Sequence, residues 1–261
     1  MLWLTIFVLG LFGGVISGLL GIGGGIVMAP LLLEAPRLLG LGELEMRVVA
    51  GLTMTQGLAG CLSGAIIHKK YQFVNMPLVL AMGIPIAIAA LIGGAASKFT
   101  PNAVLLAIFA GLALIAAVMM LIPKNEKEEY PDAKKLAFNR PLAIVIALTI
   151  GLLGGLVGQG GSFILIPMML YGLKIPTRIA IGSNLAIVLF SSIAGFAGKL
   201  ATGQIPLFLA SGLILGVLPG AQIGGFVSKR TGVKMLHYIL AILIAAAAIK
   251  IWVQILSPFF P

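Results

Sequence analysis

Long apolar runs separated by short polar stretches dominate the pattern along the chain. Most runs are about as long as a helix that crosses a bilayer, which needs about 20 apolar residues. The chain is therefore predicted to be an all-α integral membrane protein. Single helices are predicted at Met46–Ile67, Met76–Ser97, Pro101–Ile122, Pro176–Gly198, Pro206–Val227 and Val233–Ile255.

The first apolar run is too long for one helix. It extends from Leu2 to Gly40, and a helix of that length would reach about 58 Å across a hydrocarbon core of about 30 Å. The run must therefore fold back, and we predict a hairpin hinged at Gly21–Gly25. A second hairpin is predicted beyond the middle of the chain. The paired arms are Trp3–Leu20 with Ile26–Leu39, and Pro141–Gly158 with Phe163–Leu173.

The hinge sequence occurs twice. GLLGIGGGIVMAP, from Gly18 to Pro30, returns as GLVGQGGSFILIP, from Gly155 to Pro167, at an offset of 137 residues. Later positions match at an offset of 131, among them Arg47 with Arg178. Because the two halves match at constant offsets over many positions, the sequence indicates a duplicated domain. We predict a first membrane repeat at 1–122, a linker loop at 123–140 and a second membrane repeat at 141–261.

Basic residues indicate how the repeats are oriented. A hairpin plus three helices gives each half five segments, so the halves are inverted and one face collects twelve of the 17 Lys and Arg. If each glycine-broken run crossed once, the split would be nine to eight, against the positive-inside rule. We therefore predict inverted repeats with both termini outside and the linker in the cytoplasm. Arg47, Lys98 and Lys199 then belong to the outer face.

The amino-acid composition indicates which kinds of molecule the protein can have as partners. The chain is 60% hydrophobic and 9% charged, whereas soluble domains carry about 25% charge. Its net charge of +10 is scattered over short loops, which does not suggest nucleic acid. The lone cysteine, Cys61, offers no disulfide and no thiolate metal cluster. Lipid bilayer and a small solute are the predicted partners, a homo-oligomer is compatible with the sequence, and no cofactor or metal is indicated.

The glycine breaks predict a binding site. The first N–H groups after a break lack partners within the helix and carry, with the dipole, about half a positive charge. Glycine also lets a ligand approach the backbone closely. Two broken helices at corresponding positions mark the binding site of many transporters, near the middle of the membrane. The candidate backbone groups belong to Gly23, Gly24, Gly25, Gly160 and Gly161.

Polar side chains inside the spans extend this site. They are costly in hydrocarbon unless they face a partner or a cavity, although they also join helices without touching a solute. Arg47 and Arg178 begin equivalent helices, where they could attract anions at opposite mouths or simply anchor the interface. The candidate substrate-binding side chains are Thr53, Thr55, Gln56, Gln159, Ser162, Ser183, Asn184 and Gln222.

Carboxylates are scarce in the predicted spans. Of the seven acidic residues, only Glu34 falls outside a predicted loop. Cation pumps and many proton-coupled carriers need a carboxylate in the membrane. The sequence therefore favours an anion as the solute, with Glu34 as the sole acidic candidate for proton coupling.

The doubled G-x-x-G-x-G-G signature with its following proline, together with Gly51 and Gly182 early in the next helices, resembles the sulfite exporter TauE/SafE family, also called the TSUP family of membrane permeases. The resemblance covers nearly the whole chain. It implies export of sulfite, a sulfonate, sulfoacetate or a related organic anion across the bacterial inner membrane, and it implies no enzymatic activity. Gln159 and Ser162 replace an isoleucine and a glycine of the first copy, so the two breaks need not be equivalent.

Two alternatives stay open at this point. With the cytoplasm negative, export of one negative charge gains about 2.3 kcal/mol per 100 mV and needs no coupling ion, whereas a proton-coupled uptake permease would have to use Glu34. An intramembrane hydrolase would use Ser162 as its nucleophile. A serine needs a base, and neither His68 nor His237 has an assignable position near it.

Overall fold

The structure is a computed structural model that describes residues 1–20, 25–68, 74–120, 136–158, 161–228, 231 and 233–256. This part of the chain is helical, which confirms the all-α class. A short 3₁₀ turn, Ser97–Phe99, follows the fourth helix, and a π-helical segment, Met168–Gly172, follows the seventh. The helices are α1 Leu2–Leu20, α2 Gly25–Leu38, α3 Met46–His68, α4 Met76–Ala96, α5 Asn102–Met120, α6 Arg140–Val157, α7 Ser162–Pro167, α8 Thr177–Ala201, α9 Leu207–Ser228 and α10 Val233–Leu256.

Hydropathy and exposure show that the chain is a multi-pass membrane protein. Six described helical segments are long and apolar enough to cross a membrane: Leu2–Leu20, Met76–Phe99, Asn102–Met120, Arg140–Val157, Thr177–Ala201 and Leu207–Ser228. Large apolar side chains cover their outer faces, for example Leu4, Val8 and Phe12 on α1. Such a surface suits lipid, because lipid tails are as apolar as these side chains.

Asparagine and proline fix where two of the helices begin. The Asn75 side chain accepts a hydrogen bond from the Leu78 N–H at 2.7 Å before α4. The Asn139 side chain accepts one from the Leu142 N–H at 3.1 Å before α6. In both helices a proline occupies the first turn, where its missing N–H costs nothing.

The second arms of the two hairpins differ. The α2 helix continues through two internal prolines for 14 residues. By contrast, α7 has only six residues and ends at Pro167, after which the chain forms the π-helical segment. Proline lacks the N–H that would continue the α-helical ladder, and the Leu173 N–H reaches back five residues to the Met168 carbonyl at 3.1 Å. The second arm is therefore shorter in the second hairpin than in the first.

Glycine allows α1 and α9 to pack with their backbones in contact. A Cβ at Gly10 would lie 2.6 Å from the Leu213 carbonyl oxygen, and a Cβ at Gly14 would lie 2.6 Å from that of Val217. In the other half, a Cβ at Gly155 would lie 2.6 Å from the Ala90 carbonyl oxygen, so α6 packs on α4 in the same way. These glycines serve helix packing, as small residues commonly do in membranes.

The contacts also give the relative directions of the helices. Positions rise together along α1 and α9, and along α4 and α6, so each pair is parallel. The α9 helix is likewise parallel to α3, and α4 to α8. In contrast, α3 and α8 are antiparallel, because Met54 meets Gly195 while Gly57 meets Ser192. Helices α1, α3 and α9 thus run one way, and α4, α6 and α8 run the other.

Candidate solute-binding site

Polar side chains are collected in the interior of the bundle. Most of them lie on α3 and α8, the two helices that cross at its centre. Among the described residues none of the buried polar side chains is a carboxylate, and the only one that carries a charge is Lys199. The buried polar residues are Ser17, Thr53, Thr55, Gln56, Ser63, Asn75, Ser97, Ser162, Thr177, Ser183, Asn184, Ser191, Ser192, Lys199 and Gln204.

Thr53 joins α3 to the corner of the second hairpin. Its hydroxyl lies 3.0 Å from the carbonyl oxygen of Gly158, the residue that ends α6, and 2.9 Å from the Val49 carbonyl of its own helix. Gly158 has a φ of 82°, and a Cβ there would collide with the backbone of Ala50. Only glycine fits this combination of left-handed backbone and close approach. The predicted residue Thr53 therefore lies at the predicted break.

The start of α7 lies beside the middle of α6. Gly161, with a φ of 75°, packs against Ile150, which is in the middle third of α6. Ser162 follows it and is buried. Because α7 has six residues, its dipole is small, and the chemistry of this site depends more on side chains than the sequence predicts. Gly25 is buried at the start of α2, while Gly23, Gly24, Gln159 and Gly160 lie outside the described residues.

Two of the predicted residues, Thr55 and Ser183, form hydrogen bonds within the protein. The Thr55 hydroxyl donates to the Gly51 carbonyl of its own helix at 2.9 Å. The Ser183 hydroxyl accepts a hydrogen bond from the Asn75 N–H at 3.1 Å, which ties the start of α4 to α8. Asn184, next to Ser183, is fully buried and is the repeat counterpart of Thr53 at the offset of 131.

Gln56 belongs to a small cluster with two serines that the sequence did not single out. Both polar atoms of its side-chain amide are buried and make no hydrogen bond to a described residue. The same is true of the hydroxyls of Ser17 on α1 and Ser192 on α8. All three side chains surround the middle of α3, beside Gly57 and Gly60. Buried polar groups without protein partners are rare and call for an explanation.

The burial of Lys199 differs from the prediction. The sequence assigns it to the outer face as a loop charge, but it is the third-last residue of α8 and is fully buried. Its ammonium donates to the Ser97 hydroxyl at 2.7 Å and to the Leu156 carbonyl at 3.3 Å, near the end of α6. Ser97 is also 2.7 Å from the Gln204 side-chain oxygen. A lysine near the end of an apolar run looks the same in sequence whether it is exposed or buried.

The remaining candidates lie further from this interior. Gln222 is exposed on α9 together with Ile223 and Phe226, so the structure does not bring it into the buried cluster. Arg47 is half-buried at the start of α3 and donates to the Thr100 carbonyl at 3.4 Å. Arg178 is half-buried at the equivalent position of α8.

Glu34 is half-buried on α2, one turn before Arg37. The ion pair between Arg37 and Glu43, with a separation of 3.3 Å, is largely exposed and contributes little. Within the described ranges, no group of three His, Cys, Asp or Glu side chains could hold a metal ion. The chemistry available to a solute is therefore hydrogen bonding and one buried positive charge.

A helical membrane bundle with a polar interior and broken helices is the architecture of a membrane transporter. Comparison with known proteins agrees, because the model of the family described as "Sulfite exporter TauE/SafE" matches residues 6–251. The chain belongs to this family, and the resemblance noted in the sequence is confirmed. Because the family consists of membrane transporters, the protein is not an enzyme, and the hydrolase alternative built on Ser162 is wrong.

Individual relatives are similar over almost their whole length. The probable membrane transporter protein YunE of Bacillus subtilis (strain 168) is 25% identical, with 94% of this chain and 95% of YunE covered. YjnA of the same organism, also named a probable membrane transporter protein, is 26% identical, with 95% and 98% covered. A probable membrane transporter protein of Methanocaldococcus jannaschii is 21% identical, with 90% of each chain covered. No solved structure matches the chain.

Proposed function

We propose that the protein exports a small sulfur-containing or organic anion, of the sulfite, sulfonate and sulfoacetate class, across the bacterial cytoplasmic membrane. The single observation that carries this proposal is the charge of the interior. Lys199 is the only buried charged side chain among the described residues, and no buried carboxylate accompanies it.

The absence of a described counter-charge for Lys199 favours an anion as the solute. An ionisable side chain within the membrane is costly and usually marks the path of an ion, with a counter-charge as its partner. Here the described partners of the Lys199 ammonium are a hydroxyl and a carbonyl, both neutral. A passing anion would supply the missing negative charge. A cation would be repelled by Lys199, and also by Arg47, which binds the Thr100 carbonyl three residues from Ser97.

The solute's path is proposed to follow α3. Thr53 reaches the corner of the second hairpin, and Gln56, one turn further along, reaches the last turns of α1 before the first break. Ser183, Asn184 and Ser162 would line the same path on the α8 and α7 side. The backbone groups of the glycine breaks would contribute N–H donors, as the sequence predicts.

We also propose that the halves are inverted. Equivalent helices α1 and α6, α3 and α8, and α4 and α9 run in opposite directions, which is what an inverted repeat requires. With the excess of Lys and Arg on the cytoplasmic side, Lys199 and Arg47 lie toward the outer mouth and Arg178 toward the inner one. This orientation places the buried positive charge at the exit for an exported anion.

Export by this route needs no coupling ion, because the membrane potential drives anions outward. Glu34 is the one carboxylate on a described helix. The second candidate function, proton-coupled anion uptake, would depend on it.

Flux measurements in reconstituted vesicles test the proposal. Purified protein is placed in liposomes, and uptake of sulfite, taurine, sulfoacetate and phosphate is followed against protein-free liposomes. We expect protein-dependent flux of at least one sulfur-containing anion that exceeds the phosphate flux. Flux of none of the four solutes, or of phosphate alone, would contradict the proposed class of substrate.

A further inference from the structure

We infer that Ser17, Gln56 and Ser192 form a central binding site for the oxygen atoms of a small oxyanion. This inference rests on the proposed function, and it names side chains that bind the solute halfway through the bundle. Ser17 and Ser192 have no role in the sequence-based prediction of the site.

The two serines both contact the middle of α3. The Ser17 hydroxyl lies 2.5 Å from where a Cβ of Gly60 would be, and the Ser192 hydroxyl lies 3.0 Å from where a Cβ of Gly57 would be. Gly57 is the central residue of α3, and Gly60 follows it by one turn. Glycine at both positions lets the two hydroxyls approach the backbone of α3 closely.

Gln56 borders the same region from the neighbouring position on α3. Its side-chain nitrogen lies 2.6 Å from where a Cβ of Gly13 would be, and so does the terminal methyl group of Met28. Met28 belongs to the first turn of α2, directly after the first break. The cluster therefore borders the first turn of α2, where a flexible methionine lies beside the Gln56 amide.

The lack of protein partners is what points to a ligand. Four polar atoms are involved: the Ser17 and Ser192 hydroxyl oxygens and both polar atoms of the Gln56 amide. All are buried, and none has a hydrogen-bond partner among the described residues. An unsatisfied group of this kind costs about 1–3 kcal/mol, so three neighbouring side chains represent a large penalty unless something binds them. Nearby polar residues, by contrast, are satisfied, as with the Ser63 hydroxyl and the Leu218 carbonyl at 3.2 Å.

The chemistry of the three groups selects the ligand class. Two hydroxyls and an amide N–H₂ can together donate four hydrogen bonds without carrying charge. Oxygen atoms of a sulfite or sulfonate group accept several such bonds at once. Neutral donors would bind the anion without holding it as firmly as a fixed positive charge, which suits a site that must also release it.

The site is asymmetric although the chain is duplicated. Its members come from both repeats, with Ser17 and Gln56 in the first and Ser192 in the second. Their repeat counterparts, at offsets of 137 and 131, are Gly154, Ile187 and Cys61. None of these reproduces a hydroxyl or an amide, so the duplication provides one such site and not two.

Three single variants test the inference, with one matched control. Ser17→Ala, Ser192→Ala and Gln56→Met remove the donors from three different helices, and Ser63→Ala removes a satisfied hydroxyl from α3. For each protein, KM for sulfite is measured in proteoliposomes and Tm is measured in detergent without solute. Because the changes affect separate helices, a variant that fails to insert leaves two others.

We expect KM to rise about tenfold or more in each of the three variants, as for lost hydrogen bonds to a charged group. Their Tm should be unchanged or higher, because an unsatisfied buried group has been removed. Ser63→Ala should leave KM unchanged. Unchanged KM in the three variants, or a Tm that falls together with transport, overturns this inference while leaving anion export intact. Wild-type protein that transports none of the tested anions overturns the proposed function itself.

Discussion

The ammonium nitrogen of Lys199 lies 2.7 Å from the hydroxyl oxygen of Ser97, and both side chains are fully buried. The contact joins the last turn of α8 to the residue that follows α4, and the Leu156 carbonyl adds α6 to the same point. Three helices of one direction therefore end around a single positive charge. Such a charge has no described acidic partner, which is why we assign it to the solute and not to the fold.

Neutralising this charge should impair transport more than it impairs folding. In Lys199→Gln the side chain keeps a donor for Ser97 but loses its charge, so we expect sulfite flux to fall about tenfold or more. Lys98→Gln is the matched control, because Lys98 directly follows Ser97 in the chain and is exposed. The two variants are compared by initial flux in proteoliposomes and by Tm in detergent. Equal flux in both variants would remove Lys199 from the mechanism.

The bond between Thr53 and Gly158 should matter for the second break. Thr53→Val preserves shape but removes the hydroxyl that lies 3.0 Å from the Gly158 carbonyl, and we expect a loss of about 1 kcal/mol in stability with a several-fold loss of flux. Thr55→Val is the control, since that hydroxyl bonds only its own helix at 2.9 Å. If both variants lose flux equally, the link between α3 and the break is unimportant.

Substitution of glycine by alanine should change stability in opposite directions at a closely packed position and at an open one. A Cβ at Gly14 would lie 2.6 Å from the Val217 carbonyl oxygen, so Gly14→Ala should force α1 from α9 and cost about 1–3 kcal/mol. Gly111 in α5 has nothing within 4 Å of such a Cβ. There, alanine should stabilise the helix by about 0.5–1 kcal/mol. Thermal melting in detergent measures both, and a lower Tm for Gly111→Ala would contradict this account of the glycines.

Glu34 separates the two candidate functions. Its replacement by glutamine keeps the shape of the side chain and removes the one carboxylate on a described helix. Uncoupled export predicts that Glu34→Gln retains most of the sulfite flux in proteoliposomes. Proton-coupled uptake predicts that the flux, and its response to a pH gradient, is lost.

The helices themselves were predictable because hydropathy determines which segments enter a bilayer. Apart from the end of α7, the predicted ends lie within three residues of the observed ones, as in Pro176–Gly198 against Thr177–Ala201. The break after α6 was also predictable, because the glycine-rich sequence around it occurs at the corresponding place in both halves of the chain. The two hairpins differ because α7 ends early, at Pro167, and a π-helical turn follows it.

The polar interior was harder to predict, because a sequence does not show which side of a helix faces inward. Gln56 stood out as a large amide in an apolar run, whereas Ser17 and Ser192 look like any serine in a membrane helix. Gln222 carries the same signal as Gln56 yet is exposed on α9. Lys199 was counted as a loop charge because it directly follows Gly198, the predicted end of its helix.

The most direct test of the central claim is flux driven by voltage alone. Proteoliposomes are prepared with equal pH and equal solute on both sides, a potential is imposed with potassium and valinomycin, and net movement of sulfite and, in parallel, sulfoacetate is recorded. We predict accumulation of the anion on the positive side, with no requirement for a proton gradient. Flux that is insensitive to the potential, or that begins only when a pH gradient is added, would contradict uncoupled anion export.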